Sequence, residues 1–301
     1  MGIGDVYAVE GVPNCHYVDT GMYGTSGYGS VYVLDTERPA IVDTGIGTNY
    51  ERILDAVSAL GIAPSELASI LITHVHLDHA GGAGFLAAET DAEVYVHESG
   101  ASFLADPDRI WEGTKRAVGK QIQFYTEPKP VPEDRLRPIE DGSAIDVGSR
   151  TLEAHHAPGH AFHQVVFHDA GAEAVFSADA AGIYAHEADT VVETSPPPGF
   201  DLEGVIEDAR MLQGLDPETI CYAHFGPAAA DDRLETYVDV ITEWVSSVEG
   251  KRAELGDDEA VVEHFAETSD RAGLWDQPKG TEEVILNVRG ALHYLENRSE
   301  G

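Results

Sequence analysis

Short apolar runs recur along most of the chain, separated by turns rich in Gly, Asp and Pro. Because these runs are short and rich in β-branched residues, they predict buried strands rather than helices. The predicted strands lie at 6–9, 30–34, 40–43, 68–72, 93–97, 150–154, 164–167, 174–179 and 219–224.

Apolar residues at helical spacing occupy three other stretches. Positions three and four apart are apolar over 49–60, and the same spacing recurs over 234–241 and 281–295, on either side of a Gly- and Asp-rich break at 255–258. For residues 100–136 we expect mostly helical or irregular structure. The chain therefore opens strand, strand, helix, strand, an alternation that predicts layered α/β packing.

The predicted strand at 68–72 leads into a stretch that contains His74, His76, Asp78 and His79. Residues two apart on an extended segment point the same way, so His74 and His76 can present two imidazoles to one ion. Asp78 and His79 face another direction, and the glycines that follow allow a tight turn into a helix. This pattern predicts two adjacent metal ions, whereas the plain alternative is a chance run of polar residues on a solvated loop.

Other polar blocks stand in the same position relative to predicted strands. A histidine-rich loop over 155–163 follows one strand, Asp179 ends another, and His224 closes a third. Earlier in the chain, Asp43 follows a strand in an Asp-Thr-Gly turn, a place where Asp commonly bonds to nearby backbone.

In this order, the blocks resemble the motifs of the metallo-β-lactamase superfamily, and the resemblance covers roughly residues 5–230. It implies an α/β fold, the αβ/βα four-layer sandwich, with metals in the cleft between two sheets and Asp43 supporting them from behind. It predicts a catalytic domain over 1–230 and an appended helical region over 231–301 packed on it. The implied ligands are His74, His76 and His160 for one ion, Asp78, His79 and His224 for the other, and Asp179 between them.

A set of imidazoles and carboxylates suits two zinc ions, with iron or manganese as alternatives because no thiolate enforces zinc. Two such ions hold a hydroxide and polarise the substrate, so the predicted nucleophile is water. The residues assigned to catalysis are Asp78 and Tyr184. Lactonases of the superfamily place a tyrosine shortly after the bridging Asp, where its hydroxyl can bond the substrate carbonyl. In this chain Tyr184 lies further from Asp179 than the corresponding tyrosine of lactonases does. The alternative is that Tyr184 only packs under the loop, and His163 is then the next candidate for the same role.

The complete ligand set resembles that of glyoxalase II-type thioesterases and of lactonases, so hydrolysis of a thioester or a lactone is the first hypothesis. His76 stands where flavodiiron oxidases have Glu, which disfavours oxygen reduction. Persulfide dioxygenases, which use iron, are one alternative, although they carry an Arg soon after the bridging Asp and this chain does not. A non-catalytic metal- or partner-binding module is the other alternative, and the intact ligand set disfavours it.

The chain is strongly acidic, with 54 Asp and Glu against 18 Lys and Arg and a formal net charge of -36. The acidic residues are spread along its whole length, which predicts the solvated surface of a halophilic protein. No basic track is present, so nucleic acid is an unlikely partner. The densest basic cluster, Arg109, Lys115, Arg116 and Lys120, suits an anionic small-molecule substrate or simply a solvated helix face.

Two cysteines, Cys15 and Cys221, are too few for a disulfide framework and predict reduced thiols. No apolar run is long enough to span a membrane, and the N-terminus has no signal-like core. We therefore predict a cytoplasmic protein without a membrane partner, and the C-terminal helices offer a surface for a homodimer. A Gly-rich loop over 21–29 predicts either a mobile flap with exposed Tyr23 and Tyr28 or a plain hairpin loop.

Overall fold

The computed structural model describes residues 2–300, except for the side chains of residues 299 and 300. One sheet has seven strands that lie side by side in chain order, antiparallel from the first to the fourth strand and parallel from the fourth to the seventh. These strands are β1 (Val6–Ala8), β2 (Cys15–Asp19), β3 (Ser30–Leu34), β4 (Ala40–Val42), β5 (Ser69–Leu71), β6 (Glu93–His97) and β7 (Leu136–Ile139).

A second sheet has six strands and is mixed, because one of its pairings is parallel. Its strands, in chain order, are β8 (Ala144–Asp146), β9 (Thr151–His156), β10 (Val165–Asp169), β11 (Ala174–Ala178), β14 (Thr219–Tyr222) and β15 (Gly226–Ala229). A separate hairpin joins β12 (Ile183–Ala185) to β13 (Thr190–Val192). The two sheets contain every predicted strand, and the sequence failed to predict β2, β7, β8, β15 and the hairpin.

The alternation of side chains along each strand builds the layers. In β3, Tyr32 and Leu34 pack in the core between the two sheets with Phe167 of the second sheet. Their neighbours Val31 and Val33 point the other way and pack against outer helices. Successive strand residues face opposite sides of a sheet, so each apolar strand contributes to two cores at once.

Helices cover the outer face of each sheet. The helices are α1 (Glu51–Ala59), α2 (Leu77–Ala80), α3 (Ala83–Glu89), α4 (Ala101–Ala105), α5 (Asp108–Ala117), α6 (Leu202–Gly214), α7 (Arg233–Leu255), α8 (Asp258–Thr268) and α9 (Lys279–Glu300). The first sheet packs against α1, α3 and α4, and the second packs against α6 to α9. This arrangement confirms the predicted αβ/βα four-layer sandwich with C-terminal helices.

The C-terminal helices extend further than the periodicity predicted. Helix α7 ends at Leu255, and the next residue, Gly256, has a φ of 68° that is easily adopted only without a Cβ. Asp257 then begins α8, because its carboxylate accepts a hydrogen bond from the Ala260 backbone N–H at 2.8 Å. Helices α7 to α9 share one apolar core with α6 and the second sheet. The predicted boundary between residues 230 and 231 stays a prediction.

The segment 100–136, predicted as helical or irregular, holds α4, α5 and a 3₁₀ helix over Gly119–Phe124. Helix α5 packs against α2 at one edge of the sandwich. None of its residues is fully buried, although Ile110 and Trp111 are apolar. No helix in the described part of the chain combines the length and the apolarity that a membrane span requires.

Candidate metal centre

The seven predicted ligands come together at one edge of the sandwich. Each lies just beyond a strand, where regular pairing stops and side chains turn toward the space between the sheets. His74 and His76 follow β5, and Asp78 and His79 lie in α2. The others lie in the β9–β10 loop, directly after β11 and between β14 and β15, and they are His160, Asp179 and His224.

The first group consists of His74, His76 and His160, whose ligand atoms all lie within 4.8 Å of one another. Nδ1 of His76 is 3.0 Å from Nε2 of His74 and 3.1 Å from Nε2 of His160. The same nitrogen of His160 is 3.1 Å from Oδ2 of Asp179. Three imidazole nitrogens and one carboxylate oxygen therefore face a common point.

The second group consists of Asp78, His79 and His224. The two Nε2 atoms of His79 and His224 are 3.3 Å apart, and Oδ2 of Asp78 is 3.9 Å and 3.8 Å from them. Oδ1 of Asp179 lies 3.6 Å from His79 and 3.7 Å from His224. Asp179 thus directs one oxygen toward each group.

These donors fit a pair of divalent cations. Four ligands about 2.0–2.1 Å from a tetrahedral zinc ion are separated from each other by roughly 3.3 Å, close to the spacings of the first group. Oδ1 of Asp179 is buried and has no hydrogen-bond donor within the described residues. A buried carboxylate oxygen without a partner is costly, and a metal ion would satisfy it.

The electrostatics of the cluster favour neutral imidazoles in the first group. Burial lowers the pKa of His74 well below its usual value and that of His160 to about 3. Burial also disfavours the imidazolium of His79, but the carboxylates of Asp179, Asp78 and Asp43 outweigh it and raise that pKa. A neutral imidazole is the form that binds a metal, and the carboxylates supply the negative charge that a cation would balance.

Asp43 holds the second group from behind. Its Oδ2 lies 2.9 Å from Nδ1 of His79, which directs Nε2 of the same ring toward the cluster. Oδ1 of Asp43 also accepts hydrogen bonds from the backbone N–H and the hydroxyl of Thr73, both at 2.9 Å. A hydrogen bond of this kind fixes the tautomer and the orientation of a ligand histidine. The structure thus places Asp43 in the supporting position that the resemblance implied.

The sequence profile of the Metallo-beta-lactamase superfamily matches residues 24–224, which include all seven clustered side chains. The chain belongs to this superfamily. The match ends at the last predicted ligand, His224, and so leaves α7 to α9 outside it.

Three curated proteins are similar to the chain over different lengths. The Metallo-beta-lactamase fold-containing protein ST1585 of Sulfurisphaera tokodaii is 25% identical over 70% of this chain and 78% of its own. Acyl-coenzyme A thioesterase MBLAC2 of Gallus gallus is 29% identical over 49% of this chain and 55% of its own. Probable metallo-hydrolase YqgX of Bacillus subtilis is 28% identical over 49% and 63%. The matched segments therefore span little more than half of the last two proteins.

Solved structures of the superfamily share the fold over most of the chain. The archaeal protein ST1585 from Sulfolobus tokodaii superimposes with a TM-score of 0.69 at 19% identity, covering 93% of this chain and 98% of its own. The metallo-beta-lactamase family protein TTHA1429 from Thermus thermophilus gives a TM-score of 0.63 at 22% identity, covering 90% and 89%. At such identities the likeness shows the common architecture and nothing about substrate.

The structure gives the Tyr184 hydroxyl a partner outside the cluster. The hydroxyl donates to Oδ1 of Asp189 at 2.8 Å, and the guanidinium of Arg233 lies 5.4 Å from the ring centre. The backbone N–H of Tyr184 donates to the carbonyl of the ligand residue His224 at 2.5 Å. In the structure the hydroxyl is thus bound to a surface carboxylate, and the predicted contact of Tyr184 with substrate stays a prediction.

The other candidate histidines lie at different distances from the cluster. The His163 ring is 5.6 Å from the His76 ring, and its Nδ1 lies 3.5 Å from the backbone N–H of Val75. Burial lowers the pKa of His163 to about 2, which keeps it neutral. His155 belongs to none of the ligand groups, as expected of an ordinary loop or strand histidine.

The loop over 21–29 is not an exposed flap. Tyr23 and Tyr28 are only 7% and 3% exposed, so the prediction of exposed aromatics was wrong. The Tyr28 ring packs 4.8 Å from the ring of His224, and its hydroxyl donates to Glu283 of α9 at 2.8 Å. Lys279 lies over both tyrosine rings, 4.3 Å from the centre of Tyr23 and 3.9 Å from that of Tyr28.

Sequence reasoning missed several residues that support the ligands. Asp208 of α6 accepts a hydrogen bond from the backbone N–H of Gly159 at 2.7 Å and so holds the loop that carries His160. Lys279 and Glu283 form a buried ion pair on α9. Because Lys279 precedes the predicted helix over 281–295, the helical spacing indicated neither this pair nor its burial.

Proposed function

We propose that the chain is a binuclear metal-dependent hydrolase that cleaves thioester bonds, with lactones as the second substrate class. The superfamily, the clustered His and Asp side chains and the relatives together indicate a metal-dependent hydrolase. The observation that carries the proposal is Asp179, which directs one carboxylate oxygen to each group of ligands. A shared carboxylate is the arrangement that holds two ions side by side.

Each group of side chains has a definite part in this chemistry. Two zinc ions held there would supply a hydroxide nucleophile at neutral pH and would polarise the substrate carbonyl. His79 is oriented by Asp43, and the His160 loop is fixed by Asp208. Asp78 has 24% of its side chain exposed, and His76 is partly exposed as well, whereas the remaining ligands are buried. Substrate therefore approaches from the side of His76 and Asp78.

The position of the Tyr184 hydroxyl favours a thioester over a lactone. A lactone leaves as an alkoxide, which needs a proton donor near the cleaved bond. A thioester leaves as a thiolate, whose conjugate acid has a pKa of about 8.5, so it departs without one. Because Tyr184 donates to Asp189, it is not available for that protonation. The name of the MBLAC2 relative, an acyl-coenzyme A thioesterase, supports the same choice.

The test combines metal analysis with a matched substrate panel. The purified protein should contain two metal ions per chain and hydrolyse thioesters faster than lactones or oxygen esters of the same acyl group. Metal removal by a chelator should abolish activity, and zinc should restore it. Hydrolysis of lactones only would support the second class. Oxygen consumption with a persulfide would favour the iron dioxygenase alternative, and metal binding without turnover would favour a non-catalytic module.

The identity of the metals, a small-molecule rather than a nucleic-acid substrate, the cytoplasmic location, the halophilic character and a homodimer stay predictions from the sequence. Of these, the metal is the most informative to measure first, because zinc and iron separate hydrolysis from sulfur oxidation. Elemental analysis of protein purified without added metal is the appropriate measurement.

A further inference from the structure

Phe162 is an exposed aromatic residue beside the metal centre. It is 55% exposed, one of the few large apolar side chains in the described chain that face solvent, and it follows the ligand His160 by two positions. Single exposed apolar residues are common on protein surfaces, so its exposure alone means little. Its neighbours give it a place in a larger surface.

Phe162 begins a series of rings that ends at a ligand. Its ring lies 4.6 Å from the ring of His163 and 6.4 Å from that of Phe103. His163 in turn lies 5.6 Å from His76, the partly exposed ligand of the first group. The buried ring of His163 therefore lies between the exposed Phe162 and the partly exposed ligand His76.

Positive charge lies next to these rings. The Arg109 guanidinium is 5.7 Å from the centre of the Phe103 ring, and Arg109 is an exposed residue in the first turn of α5. Arg116 lies seven residues further along the same helix and so shares its face. Lys115 of this helix pairs with Glu112, whereas neither arginine has an ion pair with any described side chain of residues 2–298, although the chain has 54 acidic residues against 18 basic ones. Helix α5 packs against α2, which carries Asp78 and His79.

We propose that Phe162, Phe103, Arg109 and Arg116 form the substrate-binding rim and select amphiphilic thioesters, with an apolar acyl chain and an anionic carrier of the acyl-coenzyme A type. Phe162 and Phe103 hold the acyl chain, and the two arginines pair with phosphates of the carrier. This inference rests on the proposed thioesterase function. The unpaired arginines carry the choice of an anion, because nearby carboxylates would otherwise neutralise them in so acidic a chain.

The experiment uses two thioesters with the same acyl chain, octanoyl-coenzyme A and the uncharged octanoyl-N-acetylcysteamine. Phe162→Ala should raise KM about tenfold for both, because the acyl chain loses an aromatic contact. Arg109→Gln with Arg116→Gln should raise KM roughly fivefold for octanoyl-coenzyme A only. That difference should disappear at 1 M salt, where the Debye length is about 3 Å.

Matched controls separate local effects from general ones. Leu255→Ala removes another exposed apolar side chain, and Arg210→Gln removes another exposed arginine that has no ion pair among the described side chains, so both should leave KM unchanged. The proposed rim would be refuted if the arginine variants changed KM equally for both substrates, or if Phe162→Ala had normal KM values.

Binding of octanoyl-coenzyme A to metal-free protein, measured by calorimetry, distinguishes failure of the rim from failure of the function. Binding that depends on Phe162, without hydrolysis in the metal-loaded protein, supports the rim and refutes the thioesterase. Hydrolysis with unchanged binding in Phe162→Ala supports the thioesterase and refutes the rim.

Discussion

The two ligand groups differ in what holds them in place. His74, His76 and His160 lie in two loops, and the second of these is tied to α6 through Asp208. Asp78, His79 and His224 are backed instead by Asp43 and by an aromatic wall formed by Tyr23 and Tyr28, which α9 supports. Each group has one partly exposed ligand, His76 in the first and Asp78 in the second, so the groups differ in support rather than in access. Residues near the two ends of the chain support only the second group.

The support of the second group is a buried polar network. Glu283 accepts a hydrogen bond from the Tyr28 hydroxyl at 2.8 Å and another from the Asn287 side-chain amide at 3.0 Å, and it pairs with Lys279. Lys279 and Glu283 are only 4% and 5% exposed. A buried charge needs its partner, so this network connects the second ligand group to the folding of α9.

The largest effect on activity is expected at Asp179, which lies between the two ligand groups. Asp179→Asn should lower kcat/KM by on the order of 10³-fold or more, because a neutral amide cannot bridge two cations. Metal analysis should show fewer than two ions per chain. His155→Ala, which removes a nearby histidine outside both groups, should leave metal content and activity unchanged. Full metal content in Asp179→Asn would show that the two groups are independent sites.

Breaking the buried ion pair should have the next largest effect. Lys279→Met leaves Glu283 buried without its cation and should reduce the free energy of unfolding by about 3–5 kcal/mol. The double variant with Glu283→Gln should recover part of that loss, since no charge then remains unpaired. Chemical denaturation measures both.

The control for the buried Lys279–Glu283 pair is an ion pair at the surface. Arg289 and Glu259 lie 3.5 Å apart at the surface, and Arg289→Gln should cost less than about 1 kcal/mol. If Lys279→Met were no more destabilising than Arg289→Gln, α9 would not support the second group, and the contrast between the groups would disappear.

A pair of Asp→Asn variants compares the two supports directly. Asp43→Asn weakens the orientation of His79 and should lower affinity for the second ion about 10- to 100-fold. Asp208→Asn weakens only the hydrogen bond to the Gly159 backbone, so its smaller effect should fall on the first ion. Competition with a coloured chelator gives both affinities. If each variant lost the same affinity for both ions, the two ligand groups would not have separate supports.

The sequence predicted the ligands better than their supports for a physical reason. Each ligand lies in the segment that follows an apolar strand, and strands that share a sheet bring such segments to one edge. The local pattern was therefore sufficient to predict ligands such as His74 and Asp179. Tyr28 and Glu283 are separated by 255 positions. Only packing brings them together, and no local pattern distinguishes a buried Lys279 from an exposed one.

The same reasoning accounts for the short strands that were missed. Strand β15 begins at Gly226 and Pro227, residues that propensity assigns to a turn, and its pairing with β14 overrides that preference. The wrong prediction for the loop over 21–29 also arose from packing that the local sequence does not show. A Gly-rich loop is expected to be exposed, but here α9 covers it.

The smallest effect is expected for Tyr184→Phe, which removes the hydroxyl that binds Asp189 and keeps the ring. Asp189 is mostly exposed, so the lost hydrogen bond should cost no more than about 1 kcal/mol of stability. Because the ring still stacks on Tyr222 at 5.4 Å and the backbone still contacts His224, metal content should stay normal. We expect kcat for the best thioester to remain within about twofold, whereas losing an oxyanion donor typically costs 10²–10³-fold. A loss of that size with two ions bound would return Tyr184 to the catalytic role that its place after Asp179 first suggested.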